Sequence, residues 1–306
     1  MLENKKDYKA WLYLAIPLLL LGVFTFFPLI KTILISFVPE YEPTMDSFGN
    51  FGLSLYSYTH LFDPGSQFVT NLGNTLLIVF ISVPVSTILA LLIAVGLNSI
   101  KWFQKIFQTI FFIPYVTNTL AIGMVFATLF AAPNTLSASN GLINYIFHLD
   151  VDWVGPNADR LHWMTVVLIY TVWNGLPFKI LVFIGGLQNI SKQYYDAAKI
   201  DSTPSWRVLS KITVPLLSPM ISYILITSFI GAFKSYESVI GVFTNINLTT
   251  AAYANRNTVV GFTYSVIERT GPGYYSYGAA AAVILFVIIL AFTLINMLVS
   301  KKSVHY

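Results

Sequence analysis

The sequence predicts an all-α membrane protein with six transmembrane helices, and three observations carry that prediction. Hydrophobic residues make up 56% of the 306 residues and charged residues only 10%, too little polar surface for a water-soluble domain. Apolar runs recur at about 11–31, 72–98, 109–131, 161–187, 216–242 and 278–299, each long enough to cross a hydrocarbon core as a helix. Backbone amides cannot go unpaired in lipid, so spans of this length are helices. The third observation is the placing of cations. Lys5, Lys6, Lys9, Lys101, Lys105, Lys192, Lys199, Arg207, Lys211, Lys301 and Lys302 fall on one side if the spans alternate. The other side keeps Arg160, Arg256 and Arg269 beside eight acids, among them Glu40, Asp63 and Asp150. This asymmetry puts the 1–10 tail, the 188–215 loop and the 300–306 tail in the cytoplasm of a multi-pass protein of the cell membrane. Cytoplasmic flanks account for the net charge of +4, so no nucleic-acid partner is needed. Cysteine is absent, which excludes disulfides and thiolate metal sites.

Taken in order, the first span carries Pro17 and Pro28 and is expected to stay attached as a signal-anchor, being too long for a removable signal peptide. The outer segment that follows is rich in proline and glycine and reads as loop and short interfacial helix. His60 in it stands as a lone imidazole without partners at ligand spacing. In the second span Ser82, Ser86, Ala90 and Ala94 recur every fourth residue, the small-residue stripe of a close helix contact. A short turn at 101–108 leads to the third span. The second outer loop, Pro133 to Arg160, holds Asp150, Asp152, Asp159 and, just beyond, His162; their spacing fits no ligand set, and a solvated loop is expected.

In the fourth span, Trp173-Asn174-Gly175-Leu176-Pro177-Phe178 places polar and helix-breaking residues at mid-depth, and a broken helix lining a cavity is where a substrate path is expected. Lys179 beside it is read equally as pathway residue or snorkelling cation. The fifth span contains Lys234 and Glu237 three residues apart, with Phe233 and Tyr236 nearby. Charges inside a bilayer mark a pathway and are usually paired, and aromatic faces beside polar groups suit a sugar; an intrahelical structural pair is the competing reading. Asn247-Leu248-Thr249 is a sequon of low information content.

Between the fourth and fifth spans lies the one cation-rich interruption, Leu187 to Pro219. Ser191 is placed to cap a helix whose face Tyr194, Ala197, Ala198, Asp201 follows helical spacing, with two alanines small enough for a close approach. Thr203-Pro204 then reads as an N-cap and a first-turn proline opening a second helix. From the residues alone, such a helix-turn-helix is more often an interfacial loop than a docking device.

This stretch resembles the EAA loop of ABC importer permeases, whose pattern is E-A-A-x3-G-x9-I-x-L-P. Asp196-Ala197-Ala198 stands for Glu-Ala-Ala, Asp201 keeps the common acid, and Ile212-Thr213-Val214-Pro215 closes the motif. Ser202 replaces the family glycine, where a turn needing positive φ would be strained. Further text is family-like: Ser36-Phe37 ending the first helix, Asn71 and Asn74-Thr75-Leu76, Pro84, Phe111-Phe112-Ile113-Pro114, Gly141-Leu142-Ile143-Asn144 and Tyr277-Gly278. The chain is thereby similar to permease subunits of binding-protein-dependent ABC importers of the sugar and glycerol-3-phosphate (maltose-type) family.

The resemblance implies the type I ABC importer permease fold and a carbohydrate, sugar or oligosaccharide, as cargo. It implies a heterodimer with a second permease subunit, two copies of an ABC ATPase and an extracellular solute-binding protein. Tyr194, Tyr195, Asp196, Ala197, Ala198, Asp201, Ser202 and Pro215 would couple to the ATPase. Trp173, Asn174, Phe233, Lys234, Tyr236 and Glu237 would line the substrate path. The sequence has no G-x-x-x-x-G-K-[ST], H-E-x-x-H or G-x-S-x-G, so the chain is expected to be non-enzymatic and to bind no cofactor, with ATP and Mg held by the partner ATPase. The alternative is a stand-alone secondary transporter of a small polar solute, which would need ionisable residues in several spans; only Lys179, Lys234 and Glu237 qualify.

Overall fold

The computed structural model describes residues 7–43, 52–100, 104–131, 141–243, 255–269 and 271–303. Lys5, Lys6, Lys101, the start of the second outer loop from Pro133, the Asn247 sequon and the tail beyond Ser303 lie outside the described residues. Helices account for all the regular structure among them. In chain order these are α1 Asp7–Leu21, a π turn at Gly22–Phe26, α2 Phe27–Ser36, α3 Tyr56–Leu61, α4 Phe68–Ser99, α5 Gln104–Val116, α6 Thr119–Leu129 and α7 Leu142–Phe147. Then come α8 Arg160–Gln188, α9 Lys192–Ile200, α10 Ser205–Val208, a second π turn at Leu209–Thr213, α11 Val214–Leu216, α12 Ser218–Phe233, α13 Glu237–Val242, α14 Val259–Ile267 and α15 Tyr274–Ser303.

Four stretches, Trp11–Ser36, Phe68–Ser99, Arg160–Gln188 and Tyr274–Ser300, are long and apolar enough to cross a membrane, and two bent pairs bring the candidate spans to six. The third span, read from the sequence as one helix, is two. α5 and α6 meet at 97° because Asn118 starts a new helix: its side chain accepts from the Leu120 and Ala121 amides at 2.9 and 3.2 Å, an N-cap in mid-span. The α10–α11 arm meets α12 at 70°, with Leu217 and Pro219 at the elbow. α12 then stops at Phe233, and α13 starts only at Glu237.

The fourth span corrects the sequence reading in the other direction. α8 runs unbroken from Arg160 to Gln188 with Pro177 inside it. Proline removes one amide donor from the ladder, and buried Trp163, Tyr170, Ile180 and Phe183 hold the flanking turns in place.

The chain divides into two compact units. In the first, Met1–Val69 with Phe262–Leu285, buried Ser36 bonds the Tyr58 hydroxyl at 2.7 Å. Ser276 donates to the Val38 carbonyl at 2.6 Å and accepts from the Tyr41 amide at 3.2 Å. Phe68, Phe262 and Tyr277 form a chain of ring contacts in the same unit.

The second unit is Thr70–Gly261 with Phe286–Tyr306, and α8 is its spine. Toward one end of α8, Trp163, Met164, Val167 and Tyr170 bury against Ile122, Val239, Val242 and Phe243. Toward the other, Ile180, Phe183, Ile184 and Leu187 pack on Ala90, Ala94, Leu217 and Ile224. Ser82, Ser86, Ala90 and Ala94 are all buried, so the small-residue stripe of α4 faces protein. α6 and α13 come closer still: a Cβ on Gly241 would sit 2.9 Å from the Gly123 Cα, a backbone-to-backbone approach that only small residues allow.

Polar side chains tie the unit's loops down. Asn74 donates to the Asn255 and Asn257 carbonyls at 2.7 and 3.1 Å and accepts from Arg160 at 2.9 Å. Thr75 accepts from the Val259 amide at 2.9 Å. Arg256, 6% exposed, donates to the carbonyls of Gly155, Pro156 and Ala158 at 2.7, 3.0 and 2.8 Å. Asp152 accepts from the Gly155 and Asn157 amides, so this loop acid shapes a turn.

Candidate functional site

The helix-turn-helix between α8 and α12 forms from local chemistry. Ser191 caps α9 by accepting from the Gln193 amide at 3.4 Å, as its position predicts. At the other end Asp201 is the C-cap and Ser202 takes φ +51°. The Thr203 amide donates to the Ala198 carbonyl at 2.9 Å and the Ser202 amide to Lys199 at 3.1 Å. That pair of bonds is a Schellman motif, so serine occupies the left-handed position that favours glycine. The next helix starts one residue later than expected, with Pro204 and not Thr203 as its N-cap.

The structure separates the predicted coupling residues into two sets. Ala198 is buried, and Tyr195 turns inward so that its hydroxyl meets Thr213 at 3.3 Å. Both line a cavity of about 300 Å³ shared with Val95, Leu187 and Leu209. These two residues therefore pack α9 against its own protein. Tyr194, Asp196, Ala197, Asp201 and Ser202 are exposed. Asp196 and Lys199 pair at 3.6 Å in open solvent, where such pairs contribute little. Pro215 lies apart from them in α11, near the elbow to α12.

Two residues missed in the sequence complete the outward surface. Ile200 is 84% exposed and Trp206 75%, beside Tyr194 at 53%. Three large apolar side chains thus stand exposed on one short cationic loop, as residues of a protein contact do. Their signal was present as isoleucine and tryptophan in a polar segment; which face they occupy depended on Ala198 turning inward.

The predicted path residues are brought together only in part. Tyr170, Trp173 and Asn174 share one α8 face by helical spacing, and Trp173 rests on Phe126 with centroids 5.7 Å apart. The Tyr170 hydroxyl donates to the Thr119 carbonyl at 2.7 Å. Phe233, 1% exposed, is enclosed and packs on Phe292. Lys234 and Glu237 form no ion pair: the gap between α12 and α13, with Tyr236 at φ −138° and ψ −50°, takes them off one helical face. Lys179 does not snorkel. It is 5% exposed and donates to Ser86 Oγ, with Gly175 leaving room beside its ammonium: a Cβ there would lie 3.4 Å from Nζ.

The described residues form a membrane helix bundle with large apolar side chains exposed on a polar loop. Residues 82–304 match the family described as the binding-protein-dependent transport system inner membrane component. The chain belongs to that family. This inner membrane component is 31% identical to the arabinooligosaccharides transport system permease protein AraP of Bacillus subtilis, across 96% of this chain and 89% of that one. It is 27% identical to the lactose transport system permease protein LacF of Rhizobium radiobacter, across 95% and 94%. In fold it is similar to a chain of a bacterial alginate ABC transporter solved with an alginate pentasaccharide-bound periplasmic protein, at TM-score 0.77, 18% identity and coverage of 97% and 96%. The six-span reading thus corresponds to the type I ABC importer permease fold. Family membership also sets aside the stand-alone secondary transporter: an inner membrane component works as part of a binding-protein-dependent system.

Proposed function

We propose that this inner membrane component carries a carbohydrate, a sugar or short oligosaccharide, across the cell membrane as half of a translocation path. The observation that carries the cargo class is agreement among relatives, whose names specify arabino-oligosaccharides, lactose, and trehalose with maltose. The chain pairs with a second permease subunit, receives solute from an extracellular binding protein, and couples to two copies of an ABC ATPase. ATP and Mg belong to those ATPase subunits; this chain performs no covalent chemistry and binds no cofactor. Both termini and the 188–215 loop face the cytoplasm, consistent with the distribution of basic residues.

The exposed Tyr194, Ile200 and Trp206 support a role for α9 and α10 as the coupling helices. These side chains seat in a surface groove of the ATPase, and Tyr195 and Ala198 transmit its movement to α4 and to the π turn at Leu209–Thr213 by rigid-body motion. Trp173, Asn174, Lys234, Tyr236 and Glu237, none of them fully buried, then form this subunit's contribution to the path, without the enclosed Phe233. Uptake of radiolabelled arabinotriose, lactose and maltotriose by cells lacking the chain, against the same cells complemented, tests the cargo class. Restored uptake of at least one is expected; restored growth on a non-carbohydrate solute with no sugar taken up contradicts the reading.

A further inference from the structure

The first compact unit holds a cavity of about 630 Å³ that none of the residues discussed above accounts for. Its volume falls within the roughly 300–1,000 Å³ of small-molecule sites. Its walls come from the segment around α3 and from the α14–α15 turn, both within that unit. Tyr56 and His60 stack with centroids 5.9 Å apart and planes 8° from parallel, forming a flat shelf. Tyr277 stands against His60 at 5.1 Å and 48°. Tyr274 lies under the Arg269 guanidinium at 6.0 Å.

The polar groups are held in place before any ligand arrives. His60 Nδ1 and Asp63 Oδ2 are 2.7 Å apart, which fixes the imidazole plane and overturns its reading as a lone loop residue. Ser66 and the Tyr277 hydroxyl are joined at 2.9 Å. The Arg269 guanidinium forms no ion pair with Asp63 or Glu40, although all three line the same space. Gly65 and Gly273, at φ +104° and +85°, shape the turns at the rim.

From this geometry we infer that the cavity is a saccharide-binding site, distinct from the path residues on α8 and α13. The inference rests on the carbohydrate reading above and adds a location to it. A pyranose presents an apolar C–H face and a rim of hydroxyls. The Tyr56–His60 shelf matches the face. Carboxylate acceptors from Asp63 and Glu40 and the donor fork of Arg269 match the rim. Two carboxylates against one guanidinium disfavour a phosphate or a uronic acid and select a neutral sugar. On the side assigned to the exterior, such a site would hold saccharide outside the membrane.

The test uses the whole transporter in nanodiscs without its binding protein, titrated by calorimetry with whichever of arabinotriose, lactose or maltotriose the cells import. Saturable binding is expected, weakened about tenfold by Tyr56→Ala and by Arg269→Ala and kept within about twofold by Tyr56→Phe, which retains the ring. Unchanged thermal unfolding of the variants separates loss of the site from loss of fold. Binding that neither alanine variant weakens, or none at all with an imported sugar, overturns the site while leaving the transport reading intact. Failure of every sugar to be imported overturns both.

Discussion

Ser202 and Arg256 show how single residues set the conformation of this chain's loops. A non-glycine residue in the left-handed region costs roughly 1–2 kcal/mol, and Ser202 sits there at φ +51° to close the Schellman motif after α9. Ser202→Gly should therefore strengthen the α9–α10 turn by about 1 kcal/mol, read as slower amide exchange at residues 199–203, whereas Ser202→Val should speed it. Arg256 is a larger commitment, since a buried guanidinium serves the carbonyls of Gly155, Pro156 and Ala158. Arg256→Ala leaves buried acceptors unpaired and should destabilise the protein by about 2–3 kcal/mol, seen as a lower unfolding temperature and faster proteolysis within 150–160. Neither role was legible in full. The glycine-to-serine exchange at 202 signalled strain, because backbone conformation is local; Arg256 read only as one of few outer cations, because its acceptors lie about a hundred residues away in sequence.

At the scale of elements, α6 against α13 is the contact with least slack. A Cβ on Gly123 would strike the backbone of Gly241 and come within 3.0 Å of the Val242 amide. Gly123→Ala should push the helices apart at a cost of about 1–3 kcal/mol, measured as reduced thermal stability in detergent, with Gly123→Leu worse and not rescued by a smaller neighbour because the obstacle is backbone. This pair escaped the sequence reading, while the Ser82–Ala94 stripe on α4 was plain from its four-residue spacing. The difference is physical: a stripe repeats along one helix, but Gly123 and Gly241 meet only through tertiary folding. The breaks follow the same logic. Pro177 announced an interruption that packing of α8 overrides. The real interruptions lie at Asn118, whose side chain caps a helix, and between Lys234 and Glu237, where no proline or glycine stands.

For the whole molecule, apolar run length fixed the number of spans and cation placement suggested their orientation, because lipid imposes both on any chain of this composition. The helix-turn-helix between α8 and α12 was legible through Ser191 and the Thr203-Pro204 break. Which of its residues face outward was not, since Ala198 and Tyr195 turn inward only once α4 and the π turn at Leu209–Thr213 are in place. The saccharide cavity was invisible for the stronger reason that its walls join segments about 200 residues apart.

The most direct test exploits the absence of native cysteine. With Ile200→Cys as the sole thiol in this chain, a short thiol-reactive photo-crosslinker on intact membranes should join it to a soluble nucleotide-binding subunit, and a membrane-impermeant maleimide applied to whole cells should leave it unlabelled. Labelling from outside, or crosslinks that never include an ATPase while the transporter remains active, would contradict the claim that this loop is where the permease meets its motor.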